Sequence, residues 1–186
     1  IHYYSLAANQ NIPQAQYNLG VIYYNGEYVP RDINKAIHYY SLAAKQNIPQ
    51  AQFNLGLIYY EGEYLSRDIN KAIHYYSLAA NQNYPQAQYN LGVIYHNGEY
   101  LSRDINKAIH YYSLAANQNI PEAQLFLGLF FYHIKNMKKS ISYLELASKY
   151  KEKEADFILG FMYHKGEYIK RDIIKSIKHY KEASSV

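Results

Sequence analysis

The chain has 186 residues, of which 49% are hydrophobic and 18% are charged, and its formal net charge is +4. This length and apolar content predict a folded protein with a sizeable core, and the absence of cysteine excludes disulfides and thiolate metal sites. The longest apolar run, Leu125 to Tyr132, is too short to span a bilayer, which needs about 20 residues. The cysteine-free composition favours the cytoplasm slightly, but the sequence does not fix the compartment.

The chain is built from a repeated segment. The octapeptide IHYYSLAA recurs with a period of 36 residues, beginning at Ile1, Ile37, Ile73 and Ile109, and a changed version, ISYLELAS, begins at Ile141 after only 32 residues. Periods of this length are typical of stacked repeat arrays. We therefore predict a single array over 1–186, made of a partial repeat at 1–12 and repeats at 13–48, 49–84, 85–120, 121–152 and 153–186.

Each repeat is predicted to begin with a first helix, helix A. It opens with a proline suited to the first helical turn, such as Pro49, and ends near a glycine such as Gly62. A further glycine, Gly56, lies inside the helical pattern, where it costs roughly 1 kcal/mol relative to alanine. Because a small residue, Ala72, recurs on the following helix, we expect the two helices to approach each other closely.

A short loop then leads to a second helix, helix B. An aspartate such as Asp68 is placed to cap its N-terminus. Helix B ends at an asparagine suited to the left-handed conformation, at Asn47, Asn83 or Asn119. The repeat at 121–152 lacks both the loop glycine and the aspartate, and its loop is four residues shorter. We expect a local change of curvature there, with Lys135, Lys138 and Lys139 exposed.

The repeat follows the pattern A-x-x-x-L-G-x-x-Y-x-x-G-x-x-x-x-x-D-x-x-K-A-x-x-Y-x-x-x-A-A. In repeat 13–48 the pattern is carried by Ala15, Leu19, Gly20, Tyr23, Gly26, Asp32, Lys35, Ala36, Tyr39, Ala43 and Ala44. This pattern resembles the Sel-1-like repeat, a relative of the tetratricopeptide repeat. The resemblance implies an all-α fold, a right-handed α/α superhelix (solenoid) of tandem helix-turn-helix repeats that serves as an adaptor in protein complexes.

The sequence departs from the family pattern at two columns. Asn47, Asn83 and Asn119 replace a glycine that is common at the repeat junction, and Tyr39 stands where tryptophan is frequent. Some cysteine-rich bacterial members of the family have been linked with β-lactam binding or hydrolysis. They are built on disulfides, which this chain cannot form.

Differences between neighbouring repeats point to one face of helix A. Repeats 49–84 and 85–120 differ at only 5 of 36 positions, and four of these lie at i, i+4, i+7 and i+8 of helix A, on one side of the helix. By resemblance to tetratricopeptide arrays, this side lines a concave groove that holds a partner peptide or helix. We name it the helix-A face, and its candidate partner-binding residues are Tyr17, Tyr24, Asn25, Phe53, Tyr60, Glu61, Tyr89, His96, Asn97, Tyr132, His133, His164 and Lys165.

Other chemistry finds little support in the sequence. There is no Gly-rich phosphate loop, H-E-x-x-H or G-x-S-x-G motif, so we expect neither catalysis nor a cofactor. His2, His38, His74 and His110 recur one repeat apart, roughly 10 Å or more, which is too far for one metal ion. Residues 134–186 hold 12 Lys/Arg and 7 Asp/Glu, but the interleaved charges favour a solvated face over nucleic-acid binding.

The leading interpretation is a non-catalytic protein-interaction scaffold that binds a protein or peptide. The alternatives are a regulatory or targeting domain of a multidomain signalling enzyme, such as a protein kinase, and a structural spacer that binds nothing. Because the segment opens within a helix B and ends in one, without polar capping repeats, we also expect neighbouring repeats or a covering domain in a longer chain.

Overall fold

The computed structural model describes residues 1–63, 65–98 and 102–185. These residues form eleven α-helices and no β-strand. The helices are α1 (His2–Asn9), α2 (Pro13–Asn25), α3 (Ile33–Lys45), α4 (Pro49–Glu61), α5 (Ile69–Asn81), α6 (Pro85–Asn97), α7 (Ile105–Asn117), α8 (Pro121–His133), α9 (Met137–Lys149), α10 (Lys153–Lys165) and α11 (Ile173–Ser184). Within the described ranges, no helix has the length and apolar character needed to cross a bilayer.

The described residues divide into two compact units, with the boundary inside α6. The first contains Ile1–Leu91, and the second contains Gly92–Gly98 and the described residues 102–185. In the first unit α2 packs mainly on α3 and α4 on α5, and in the second α8 packs on α9 and α10 on α11. Each of these pairs joins a helix A to the helix B that follows it, as predicted from the repeat.

Left-handed residues end both kinds of helix. Gly26, Gly62 and Gly166 close their helices A in this conformation, with φ between 65° and 75°. The predicted asparagines after helix B are left-handed as well, with φ of 60° at Asn47, 61° at Asn83 and 64° at Asn119. Asn11, which completes the Asn-Gln-Asn motif at the end of α1, is left-handed as well, with φ of 62°. The same conformation at Lys135 and Lys151, with φ of 63° and 62°, was not predicted.

Capping aspartates begin helix B. In α3, α5, α7 and α11, Oδ1 of the aspartate accepts a 3.0 Å hydrogen bond from the backbone amide three residues later, as from Lys71 to Asp68. In the short-loop repeat Asn136 takes this role for α9 and accepts a 3.3 Å bond from Lys139 N. This cap was not predicted from the sequence, although asparagine caps helices as well as aspartate does.

The caps make a testable contribution to the pH dependence of stability. Hydrogen bonds from the backbone amides of Lys35 and Lys71 lower the pKa of Asp32 and Asp68 below the usual 3.8. A carboxyl group with a depressed folded pKa stabilises the fold above its unfolded pKa, and this stabilisation is lost as the pH falls through the folded value.

We therefore expect the double variant Asp32→Asn/Asp68→Asn to lose less of its melting temperature than the wild type between about pH 5 and pH 3. Asparagine still caps the helix but does not titrate in this range. Thermal unfolding followed by circular dichroism at a series of pH values measures the difference. Equal slopes for the two proteins would show that the caps make no titratable contribution.

A buried tyrosine fills the space at the interior glycine of helix A. A Cβ added to Gly56 would lie 2.5 Å from Cδ1 of Tyr76, whose side chain is fully buried. The glycine therefore makes room for an aromatic ring of helix B, which the sequence analysis did not foresee. The predicted approach of small residues is seen in the short-loop repeat, where Ser140 Oγ donates a 2.8 Å bond to the Gly128 carbonyl.

The repeat junctions contain buried glutamines. Gln16, Gln52, Gln88 and Gln124 are at most 2% exposed, and each donates its side-chain amide to a carbonyl near the end of the preceding helix B. At Gln52 this bond to Ala44 O is 3.1 Å, and Gln52 Oε1 accepts a 2.8 Å bond from Gln82. An amide at this place satisfies buried polar groups on both sides of the junction.

Candidate functional site

The candidate residues of the helix-A face fall into two groups by exposure. The exposed group is Asn25, Glu61, Asn97, His133, His164 and Lys165. The half-buried group is Tyr17, Tyr24, Phe53, Tyr60, Tyr89, His96 and Tyr132. The first group can contact a partner with whole side chains, whereas the second offers only one edge or tip of each ring.

In repeat 13–48 the half-buried rings rest on a core tyrosine. The ring centroids of Tyr17 and Tyr24 lie 5.9 and 6.5 Å from that of Tyr40, which is 1% exposed. The guanidinium of Arg31 lies 5.0 Å from the Tyr24 ring. Burial, together with the nearby charge of Glu61, raises the pKa of Tyr24. Both candidate tyrosines of this repeat therefore rest on the same buried ring.

The same layer recurs in repeat 49–84. Phe53 and Tyr60 lie 5.7 and 6.5 Å from the buried Tyr76 ring, and Phe53 also lies 5.2 Å from Tyr84. Arg67 lies 5.6 Å from the Tyr60 ring. The aromatic candidates of these two repeats therefore have a packing role in addition to any role in binding: Tyr17, Tyr24, Phe53 and Tyr60.

In the second unit His96 is held between two rings. Its centroid lies 4.7 Å from that of Phe126 and 6.5 Å from that of Tyr112, both in edge-on contact. Burial, with a smaller effect of Arg103, lowers the pKa of His96 and favours the neutral ring. Phe126 is a participant that the sequence analysis missed, because the equivalent residue in the earlier repeats is asparagine.

The remaining candidates lie on α8 and α10. Lys135 lies 5.9 Å from the Tyr132 ring and 4.5 Å from Tyr168. Lys165 lies 5.9 Å from the ring of Phe161, which is 38% exposed and lies one turn before it. Lys135 and its neighbours Lys138 and Lys139 are exposed, as predicted.

A second set of rings lies between helices A and B. Tyr23 stacks on Tyr39 with centroids 5.7 Å apart and planes 3° apart, and Lys35 Nζ lies 5.0 Å from the Tyr23 ring. Lys35 Nζ also lies 3.4 Å from Asp32 Oδ2. The capping role of the aspartate was predicted from the sequence. The contact of the lysine with the ring was not predicted, although an aromatic residue recurs at the Tyr23 position of the repeats.

The recurring histidines are solvent-exposed. His38, His74 and His110 each lie edge-on against the tyrosine that follows them, with centroids 5.2 Å apart. Across 1–63, 65–98 and 102–185, there is no group of three or more histidine, cysteine or acidic side chains arranged to hold a metal ion.

The Sel1 repeat family model matches almost the whole chain, in segments 1–12, 13–48, 49–84, 85–120, 121–149 and 153–185. The chain belongs to the Sel1 repeat family. Proteins of this family generally act as protein-interaction scaffolds, and protein partners are typical of them. A search of the curated proteins found no match.

Solved structures of Sel1 repeat proteins share the fold. A protective antigen of uropathogenic Escherichia coli, c5321, is 28% identical over 98% of this chain, with a TM-score of 0.86. A Sel1 repeat protein of Oxalobacter formigenes is 31% identical over 98% of the chain and 76% of its own, with a TM-score of 0.82. These matches confirm the predicted fold class, an all-α solenoid of tandem helix-turn-helix repeats.

The lengths of the matched proteins differ. The chain spans 40% of the length of the Escherichia coli protein. Helicobacter pylori cysteine rich protein B is 31% identical, and 72% of this chain covers 99% of that protein, with a TM-score of 0.54. This Sel1 repeat chain therefore shares the fold of a cysteine-rich member although it has no cysteine.

Proposed function

We propose that this protein is a non-catalytic scaffold whose helix-A face holds a peptide or helix of a protein partner. One observation carries the proposal. Where two nearly identical repeats differ on helix A, each differing position is half-buried or exposed and none belongs to the buried core. Variation confined to an accessible face is what selection for different contacts along a bound partner would produce.

The composition of the face supports a protein ligand. Aromatic rings with polar tips supply large, rigid contact area at low conformational cost, and they are enriched in protein interfaces. Here Tyr24 and Tyr60 rest against the buried rings of Tyr40 and Tyr76. The guanidinium groups of Arg31 and Arg67 lie over the rings of Tyr24 and Tyr60. This arrangement pre-organises the rings, so little freedom is lost when a partner binds.

The exposed residues provide the sharper test because changing them leaves the aromatic layer in place. We expect Asn25→Arg/Asn97→Arg to abolish the binding of peptides selected from a displayed library against the wild type, because the bulky charges obstruct the face in both units. The double variant His38→Arg/His110→Arg adds arginines at two exposed helix-B positions and is expected to bind like the wild type.

Both variants should keep the wild-type melting temperature, since all four positions are exposed. Affinity is measured by biolayer interferometry with the selected peptides. Equal binding by the two variants would contradict the proposal, and failure to select any binding peptide would favour a structural spacer.

A further inference from the structure

The junction before the last repeat has a different chemistry from the earlier junctions. Ser148, Asp156 and His179 stand at the positions that Ala44, Gln52 and Tyr75 occupy around the first full junction. The spacing of these residues along the chain is the same in both places. Equivalent positions of the two junctions therefore differ only in their side chains. An alanine, an amide and a phenol are replaced by a hydroxyl, a carboxylate and an imidazole.

These three side chains form one buried cluster. Asp156 is 3% exposed, and its Oδ1 accepts a 2.8 Å bond from Ser148 Oγ and lies 2.8 Å from His179 Nδ1. Because an ionised carboxylate can only accept, Nδ1 is the donating nitrogen of His179, and Nε2 is left for another partner. The face of the His179 ring lies against Tyr163, which stacks on it with planes 7° apart.

A cavity of about 500 Å³ opens beside this cluster. Its lining includes His179 and the lysines Lys151, Lys153 and Lys178. Asparagine, proline and histidine stand at the three lysine positions around the first full junction, so all three ammonium groups are particular to this end of the chain. Among the residues that the structure describes, none of the three forms an ion pair.

The charged groups that line the cavity indicate which class of ligand it would bind. Asp156 already accepts hydrogen bonds from Ser148 and His179, and the other carboxylate of the lining is Glu182. Three ammonium groups stand against two carboxylates, so the lining is net positive. Three cationic donors match the three outer oxygens of a phosphate monoester, which are strong hydrogen-bond acceptors, better than they match the two oxygens of a single carboxylate.

We propose that this cavity binds the phosphate monoester of a small molecule. The lysines contact the phosphate oxygens, and Nε2 of His179 accepts a hydrogen bond from a hydroxyl of the ligand body. The volume lies in the usual range of small-molecule sites, about 300 to 1,000 Å³. The site uses none of the candidate residues of the helix-A face, so it goes beyond the scaffold function and can fail or stand independently.

Nuclear magnetic resonance titration of the full chain tests the site, with ribose 5-phosphate, glucose 6-phosphate, AMP and inorganic phosphate as probes and ribose as the uncharged control. We expect at least one phosphate monoester to bind saturably and to shift the ring signals of His179, whereas ribose does not. Lys153→Gln/Lys178→Gln should weaken this binding by about tenfold or more. The control Lys138→Gln/Lys170→Gln removes two exposed lysines outside the cavity lining and should change it less than about twofold.

A second variant separates binding from folding. Ser148→Ala/Asp156→Gln/His179→Tyr restores the residues of the earlier junctions, so it should fold normally and lose the binding of the monoester. Absence of saturable binding by every phosphate probe would overturn the proposal. Equal weakening in the two lysine variants, or unchanged binding in the restored junction, would overturn it as well.

Discussion

Replacing Gly56 with alanine is expected to destabilise the fold by about 2 kcal/mol, although alanine is the better helix former by roughly 1 kcal/mol. The added Cβ would lie 2.5 and 2.6 Å from Cδ1 and Cε1 of Tyr76. That ring is fully buried and packs on Phe53 and Tyr60, so it has no free space to move into. The cost of overpacking therefore exceeds the gain in helix propensity.

Urea unfolding of Gly56→Ala measures the effect, and Gln50→Ala is the matched control. Gln50 is an exposed residue of the same helix α4, so its replacement changes helix propensity without a steric conflict. We expect Gln50→Ala to be neutral within about 0.5 kcal/mol. A Gly56→Ala protein that is as stable as the wild type, or more stable, would show that the Tyr76 ring does not occupy this space.

Tyr112→Ala is expected to have the largest effect of any single substitution considered, a loss of roughly 3 to 5 kcal/mol. The Tyr112 side chain is 3% exposed, and its ring lies 4.1 Å from that of Phe126 and against Gly92. Alanine would leave a cavity enclosed by rigid helices, which can close it only in part. It would also remove one of the two rings against which His96 rests.

The chain contains its own control for this substitution. In the short-loop repeat Leu144 lies against Gly128 in the place of the tyrosine. Tyr112→Leu should therefore retain most of the packing and cost only about 1 to 2 kcal/mol. Urea unfolding compares the two variants, and equal losses for leucine and alanine would mean that filling the space opposite the glycine does not govern stability.

The helices were predictable from the sequence because local rules determine their ends. Pro49 starts helix A, Gly62 ends it in the left-handed conformation, and Asp68 caps the next helix through its own side chain. Each of these effects depends on the residue and its close neighbours along the chain. They could therefore be inferred without knowledge of tertiary contacts.

The packing of the same repeat could not be predicted in this way. The role of Gly56 depends on which helix-B side chain points at it, and a ring or a small residue would both be compatible with the pattern. Gln52 is polar and would be assigned to the surface, because its burial depends on a carbonyl eight residues away and on Gln82. One signal in the sequence pointed to this burial: the same polar residue recurs among the core positions of successive repeats.

The sequence predicted on which side of helix A the candidate residues lie, but not how deeply each of them is buried. Sequence comparison selected one side of helix A, and the residues on it are accessible to different degrees. It could not show that Tyr60 and His96 pack against helix B, whereas Asn25 and Asn97 project into solvent. How exposed each of these positions is depends on the helices that pack beside it. The periodicity of one helix does not describe those neighbours.

Site-specific photo-crosslinking tests the central claim, that the helix-A face binds a protein partner, most directly. A benzophenone amino acid is placed at Asn25 or Asn97 on this face, or at His38 or His110 on helix B, in cells that produce the protein. All four positions are exposed, so the substitution should not disturb the fold. We predict a discrete crosslinked protein product from Asn25 and Asn97 and none from His38 and His110. Crosslinking from the helix-B positions alone, or equally from both faces, would contradict the claim.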